Sequence, residues 1–240
     1  MWGKEIARSY DRASASRFDP AVLNPTVHLL ASLAEDGPVL EFAIGTGRVG
    51  LPLSVLGLDV SGIELSPHMV DQLRGKPGAD ALEIVIGDMT TARLPGSFTL
   101  VYLVWNAIMN VTTQQEQVAV FRNASAHLAP GGRFVVEVDV PQVGRVQPGE
   151  LGRVFAFSDH HVGIDTFDDP IGQIAWSHHW FEANGEWGRH SAPFRYIWPS
   201  EMDLMGELAG LRLQERWSGW KKDPFTKDST EQVAIYRKVD

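Results

Sequence analysis

Between residues 39 and 140, short apolar runs alternate with stretches that repeat at helical spacing. Val39–Ala43, Asp59–Glu64, Leu82–Gly87, Phe98–Val104 and Arg133–Val140 read as strands, each a few residues long and bounded by turn residues. Val49–Leu56, Pro67–Arg74 and Thr113–Leu128 read as helices between them. Strand–helix–strand alternation with short turns predicts a parallel sheet with helices on both faces. The run Val101-Tyr102-Leu103-Val104-Trp105 has the unbroken apolar character of a parallel strand buried on both sides. Upstream, Asn24-Pro25 predicts a helix start, Val27, Leu29, Leu30 and Leu33 its apolar face, and Asp36-Gly37-Pro38 its end.

The pattern changes at Pro141. From Gly144 to Pro199 the chain is rich in aromatic, histidine and turn residues, and Gln173–Glu182 with Glu186–Tyr196 predicts an antiparallel hairpin turning through Ala183-Asn184-Gly185. Ser200 then caps a helix through Leu208 that ends at Gly210, and Arg212–Trp220 and Gln232–Lys238 are the last strands. The layout is a helical lead-in over 1–35, an α/β core over 36–140 and 200–240, and an inserted β-rich segment over 141–199, placed for acceptor choice or dimerisation.

Composition narrows the partners. The 240 residues are 44% hydrophobic, enough for a sizeable core. The net charge of −9, with no basic run longer than Lys221-Lys222, argues against a nucleic-acid surface. Absence of cysteine excludes a thiol nucleophile and disulfides. The first residues lack the apolar stretch of a signal peptide, and no run reaches membrane-span length, so a cytoplasmic protein without a membrane partner is expected.

Candidate chemistry gathers at strand ends, where open α/β sheets bind ligands. The first strand leads into Glu41-x-Ala43-x-Gly45-x-Gly47, where two glycines allow close approach of a ligand to backbone; Ala43 is read as a position that needs no positive φ. The second ends in Glu64, placed to accept from a ribose diol. The third ends in Asp88-Met89, a carboxylate for an exocyclic amine beside a side chain that packs on a purine. Singly, each has a plain alternative as a turn glycine or a solvated acid. Gly45-Thr46-Gly47-Arg48-Val49-Gly50 also matches the dinucleotide fingerprint literally, so an NAD(P)-dependent oxidoreductase stays open.

Taken together, E-F-A-I-G-T-G-R, G-I-E-L-S, I-G-D-M and L-A-P-G-G-R-F-V-V-E resemble the successive motifs of class I S-adenosylmethionine-dependent methyltransferases, of the small-molecule, natural-product type common in actinobacteria. The resemblance covers residues 36–140 by motif and 200–240 by topology. It implies a Rossmann-like, seven-stranded, mostly parallel sheet with the inserted antiparallel segment. It further implies S-adenosyl-L-methionine as cofactor, S-adenosyl-L-homocysteine as product, and a methyl group moved to N or O of a small molecule. A non-catalytic S-adenosylmethionine-binding protein is the other alternative. The cofactor-binding set it implies is Tyr10, Glu41, Ala43, Gly45, Gly47, Arg48, Glu64, Leu65, Asp88, Met89, Val104 and Trp105. In that set Tyr10 closes over the amino-acid end, Arg48 or Arg17 meets its carboxylate, and Trp105 stands beside the sulfonium.

Methyl transfer from a sulfonium needs alignment above all, and a base only where the acceptor must lose a proton. Asn106 is the candidate to hold the acceptor by its amide. In the insert, adjacent histidines on a strand point to opposite faces, so His160-His161 and His178-His179 each turn one ring inward; His161 and His179 are the candidate bases. A metal held by these rings with Asp165 or Asp168 lacks a spaced ligand signature, so no metal is expected. Trp176, Trp180, Trp187 and Trp198 suggest a pocket wall or a homodimer surface.

Overall fold

The computed structural model describes residues 3–143, 150–183 and 185–239; Gly144 and the expected turn residue Asn184 lie outside them. Two helices lead in, α1 (Lys4–Ala13) and α2 (Pro20–Ala34). The second starts five residues before the expected Pro25. Asp19 caps it by accepting from the Ala21 N–H, and Pro20 supplies the preset φ of a first turn. Pro25 therefore sits inside the helix.

The alternating elements follow as β1 (Val39–Phe42), α3 (Gly50–Val55), β2 (Val60–Glu64), α4 (Pro67–Arg74), β3 (Glu83–Ile86), β4 (Phe98–Leu103), α5 (Gln114–His127) and β5 (Leu128–Asp139). After the insert come α6 (Pro199–Leu208), β10 (Leu211–Trp217) and β11 (Glu231–Lys238). Helix α6 begins at Pro199 with Trp198 in the cap position, so the expected Ser200 cap lies within the first turn.

The seven strands of the main sheet run in the order β10-β11-β5-β4-β1-β2-β3. Neighbours from β5 to β3 are parallel, whereas β11 is antiparallel to both β5 and β10. Strand order reverses between β1 and β4, and a crevice opens at their carboxyl ends. One face is covered by α5 and α6 through Val120, Phe121, Met202 and Met205, the other by α2, α3 and α4 through Val27, Leu30, Leu53 and Leu73. This is the α/β class with helices on both faces that the pattern predicts.

The insert is a second, four-stranded antiparallel sheet, β6 (Gly152–Phe157), β7 (His161–Asp169), β8 (Ile174–Ala183) and β9 (Glu186–Arg195), paired in sequence order. Only β8 and β9 were legible as a hairpin. Odd-numbered residues of β8 share a face with Phe155, His161 and His190 through the pairs Gly163↔His179↔His190 and His161↔Phe181. The opposite face carries a shallow apolar groove lined by Val162, Ile164, Trp180 and Trp187, with Trp176 alongside. The tryptophans considered for a homodimer thus point mainly away from the main sheet. The insert is fastened by Arg195, buried at the end of β9, which donates to Gln117 of α5, to Gln173 and to Glu201 of α6. Among the described residues, no helix is long and apolar enough to cross a membrane.

Candidate active site

The chain leaves β1 through alternate left-handed residues: Ala43 at φ 54°, Gly45 at 58° and Gly47 at 79°. Ala43 therefore does adopt the positive φ that its side chain led us not to expect. The turn requires it, because Ile44 must reach the Ile63 carbonyl and bury its side chain over Gly62, where any Cβ would meet it. Alanine has the smallest Cβ, and the strain of about 1–2 kcal/mol is borne by this packing.

Beside the turn, Glu64 is buried. Its Oε2 accepts from the Gly45 N–H at 2.9 Å and its Oε1 from the Ser66 N–H at 2.8 Å, so the carboxylate is fixed between the ends of β1 and β2. Burial raises its carboxyl above the usual range, and the backbone donors oppose that rise. Glu41 is placed otherwise than expected. Its carboxylate lies beneath the turn, bonded to the Tyr102 hydroxyl at 2.7 Å and close to Gly50, whose Cβ position would sit 2.9 Å from Oε2. Full burial pushes this carboxyl up to about 8. Glu41 thus supports the turn from below, and the third glycine of the dinucleotide-like match is explained by packing over it.

The facing wall is the end of β4. Val104 is buried, and Trp105 and Asn106 are consecutive left-handed residues at φ 51° and 58°. Two acids of β5 fasten them. The Trp105 N–H donates to Glu137 Oε2 at 2.7 Å, and Asn106 Oδ1 accepts from the Asp139 N–H at 2.7 Å. Asn106, expected to grip an acceptor, has its amide oxygen committed to β5. Trp220 closes the same cluster by donating to Glu137 Oε1 at 2.7 Å.

Tyr10 of α1 meets the Trp105 ring at 6.0 Å between centroids, and the guanidiniums of Arg17 and Arg48 lie 4.6 and 5.2 Å from that ring. Burial pushes the Tyr10 phenol up to about 12, with Arg48 opposing and Glu64 adding. Tyr10, Arg17, Arg48, Glu64 and Trp105 therefore converge on the crevice. The lead-in is clasped there: Asp11 accepts from the Thr46 hydroxyl at 2.6 Å and pairs with Lys76, whose ammonium also donates to the Thr46 carbonyl at 2.7 Å. A cleft of about 450 Å³ beside the clasp, lined by Asp11, Phe18, Arg48 and Lys76, includes neither Glu64 nor Trp105.

At the third edge, Asp88 uses Oδ1 for both Thr90 donors, at 2.8 Å from N and 2.7 Å from Oγ1. The Met89 carbonyl is held by Asn123, and Leu65 is half exposed next to Glu64. Above the β5 end stands the inner face of the insert. Asp165 there lies within electrostatic reach of Asp139, and burial raises both carboxyls. Further along the face, His161 Nε2 and His179 Nδ1 are 3.0 Å apart. Among the described residues, no group of three or more His, Asp and Glu is placed to hold a metal ion.

The donor set fits S-adenosylmethionine: a fixed carboxylate for a ribose diol, guanidiniums for a carboxylate, and an aromatic wall facing anionic groups for a sulfonium. Residues 39–132 match the family model described as a methyltransferase domain. The CcbJ methyltransferase from Streptomyces caelestis superposes with a TM-score of 0.81 at 32% identity, over 90% of this chain and 89% of that one. The chain belongs to the S-adenosylmethionine-dependent methyltransferases. The cypemycin N-terminal methyltransferase of Streptomyces sp is 25% identical over 94% of this chain and 96% of its own. CalS10, an amino pentose methyltransferase from Micromonospora echinaspora, shares the fold with a TM-score of 0.71 at 20% identity, over 96% of each chain. The methyltransferase uses S-adenosylmethionine as its cofactor. Sequence reasoning did not single out Asp11, Lys76, Glu137, Asp139, Ser177 or Trp220. Glu137 and Asp139 had a signal, since they end β5 beside the switch point just as Glu64 ends β2.

Proposed function

We propose that this methyltransferase acts on an amine nitrogen of a small molecule, in the manner of natural-product tailoring. The observation that carries it is the pair of carboxylates, Asp139 of β5 and Asp165 of β7, set close enough to perturb one another at the acceptor side of the crevice. An ammonium relieves that repulsion, whereas a neutral hydroxyl does not. The names of the cypemycin N-terminal and amino pentose methyltransferases, both nitrogen-directed, support the choice.

S-adenosylmethionine supplies a methyl group already activated on a positively charged sulfur. Glu64 holds the ribose hydroxyls; Leu65, Asp88 and Met89 border the adenine; Arg17, Arg48 and Tyr10 hold the methionyl end. Val104 and Trp105 form the wall along which nitrogen, carbon and sulfur align. Asn106 acts through Asp139, fixing the backbone that presents its carboxylate.

Calorimetric titration with S-adenosylhomocysteine and with NAD tests the cofactor assignment: the first binds and the second does not. Glu64→Ala weakens S-adenosylhomocysteine binding by roughly 10–100-fold, the scale of a lost charged hydrogen bond; unchanged affinity removes the ribose role. Amines and alcohols of matched skeleton, including amino sugars and free-N-terminal peptides, then test the acceptor by mass spectrometry. Methylation of alcohols alone refutes amine specificity, and cofactor binding without methylation of any acceptor favours a binding-only protein.

A further inference from the structure

We propose that Asp165, Ser177, His179 and His161 form a proton relay leading from the methyl-transfer crevice along the inner face of the four-stranded sheet toward solvent. This rests on the amine acceptor proposed above. An amine at neutral pH is an ammonium, and its nitrogen has no lone pair until one proton leaves.

Strand register places the four groups in line. Asp165 pairs with Ser177 across β7 and β8, and His179 and His161 follow along the same face through Gly163↔His179 and His161↔Phe181. The Ser177 hydroxyl hydrogen-bonds the Asp165 carboxylate. Ser177 Oγ lies 3.1 Å from His179 Nε2, and His179 Nδ1 lies 3.0 Å from His161 Nε2. One end is next to Asp139 in the crevice. The other is His161, half-buried and stacked on the partly exposed Phe181 ring at 4.4 Å. Every link lies within the ordinary hydrogen-bond range.

Proton bookkeeping sets the direction. The ammonium proton passes to the Asp165 carboxylate while its bonding pair stays on nitrogen. Asp165 then gives a proton to Ser177 Oγ as the serine gives its own to His179 Nε2. His179 gives the Nδ1 proton to His161 Nε2, and His161 releases its Nδ1 proton to water. The freed lone pair forms the new C–N bond as the C–S pair stays on sulfur, so turnover yields one methylated ammonium, one thioether and one proton. Asp139, Arg153 and His178 face Asp165, while His161, His178 and His190 face His179. Burial and these neighbouring rings push His179 down to about 4, so it stays neutral and passes the proton on rather than storing it.

The relay makes the two imidazole tautomers interdependent. With Asp165 ionised, Ser177 donates to it and both histidines carry their proton on Nε2. In Asp165→Asn the side-chain amide donates to Ser177, reversing the chain and moving both protons to Nδ1. Nitrogen-15 NMR of the histidine-labelled full chain with S-adenosylhomocysteine reads the tautomers directly, and Ser177→Ala in the Asp165→Asn background abolishes the change. Unchanged tautomers in Asp165→Asn overturn the relay.

With the amine that turns over best in the acceptor panel, Ser177→Ala and His161→Gln lower kcat about tenfold or more, with KM little changed. The deficit shrinks as pH rises and the free amine becomes abundant. A deficit equal at every pH marks a structural role and overturns the relay. If no amine turns over, amine specificity is refuted, and the tautomer response alone upholds or overturns the relay's connectivity.

Discussion

Glu41 shows how one residue couples the cofactor turn to pH. Its carboxyl is pushed up to about 8 by burial, so the folded protein keeps a proton that the unfolded chain loses near pH 4.5. The associated stability is complete below the unfolded value and declines as pH rises through about 8. Chemical denaturation of Glu41→Gln, which keeps a neutral partner for Tyr102, shows a flatter profile. The wild type loses on the order of 3 kcal/mol more than the variant between about pH 5 and 8. Ala43→Gly relieves about 1–2 kcal/mol of left-handed strain against about 0.4–1 kcal/mol of added unfolded-chain freedom. Its melting temperature is equal or slightly higher, and calorimetry finds S-adenosylhomocysteine affinity unchanged. Residue chemistry at strand ends was legible because a carboxylate or glycine there has few other uses. The conformation of Ala43 was not, because side-chain size does not reveal that Ile44 must reach Ile63 and bury over Gly62.

Elements were legible in proportion to their burial. The central strands β1, β2 and β4 are buried and read as apolar runs. Helix α1 buries only Ala7, so no apolar stripe announces it, and its position depends on Tyr10, Asp11 and the clasp instead. Strands β6 and β7 are mostly part-exposed and mix histidine, acid and aromatic residues on both faces, which hid their alternation. The clasp yields a prediction. Lys76→Met removes a partly exposed ion pair of about 1 kcal/mol or less, so the melting temperature shifts little. The loss falls on one element, and α1 is cleaved faster in limited proteolysis while S-adenosylhomocysteine binds about threefold more weakly. Unchanged proteolysis and affinity show that the clasp does not hold α1 over the crevice.

At the scale of the molecule, Arg195 joins the two sheets. It is buried, and its removal leaves Glu201 with an uncompensated charge and takes partners from Gln117 and Gln173. Arg195→Met destabilises the protein by about 3–5 kcal/mol, the range for breaking a buried pair. Denaturation measures that loss, and activity falls further than S-adenosylhomocysteine affinity because the acceptor face is the part released. Sheet order was legible only through family motifs. Apolar periodicity marks β10 and β11 as strands, but it carries no information on which neighbour each will pair with.

The position of β11 also sets the schedule of assembly. Its buried stretch, Val233 to Tyr236, fills the gap between β5 and β10, both of which precede it in the chain. Until residues 231–238 are available, the sheet exists as two unjoined halves with raw edges. Closure therefore awaits the last strand of the seven and draws on contacts distant in sequence, the circumstance in which folding is slow. A nascent chain short of β11 is a substrate for chaperones rather than a nearly finished enzyme.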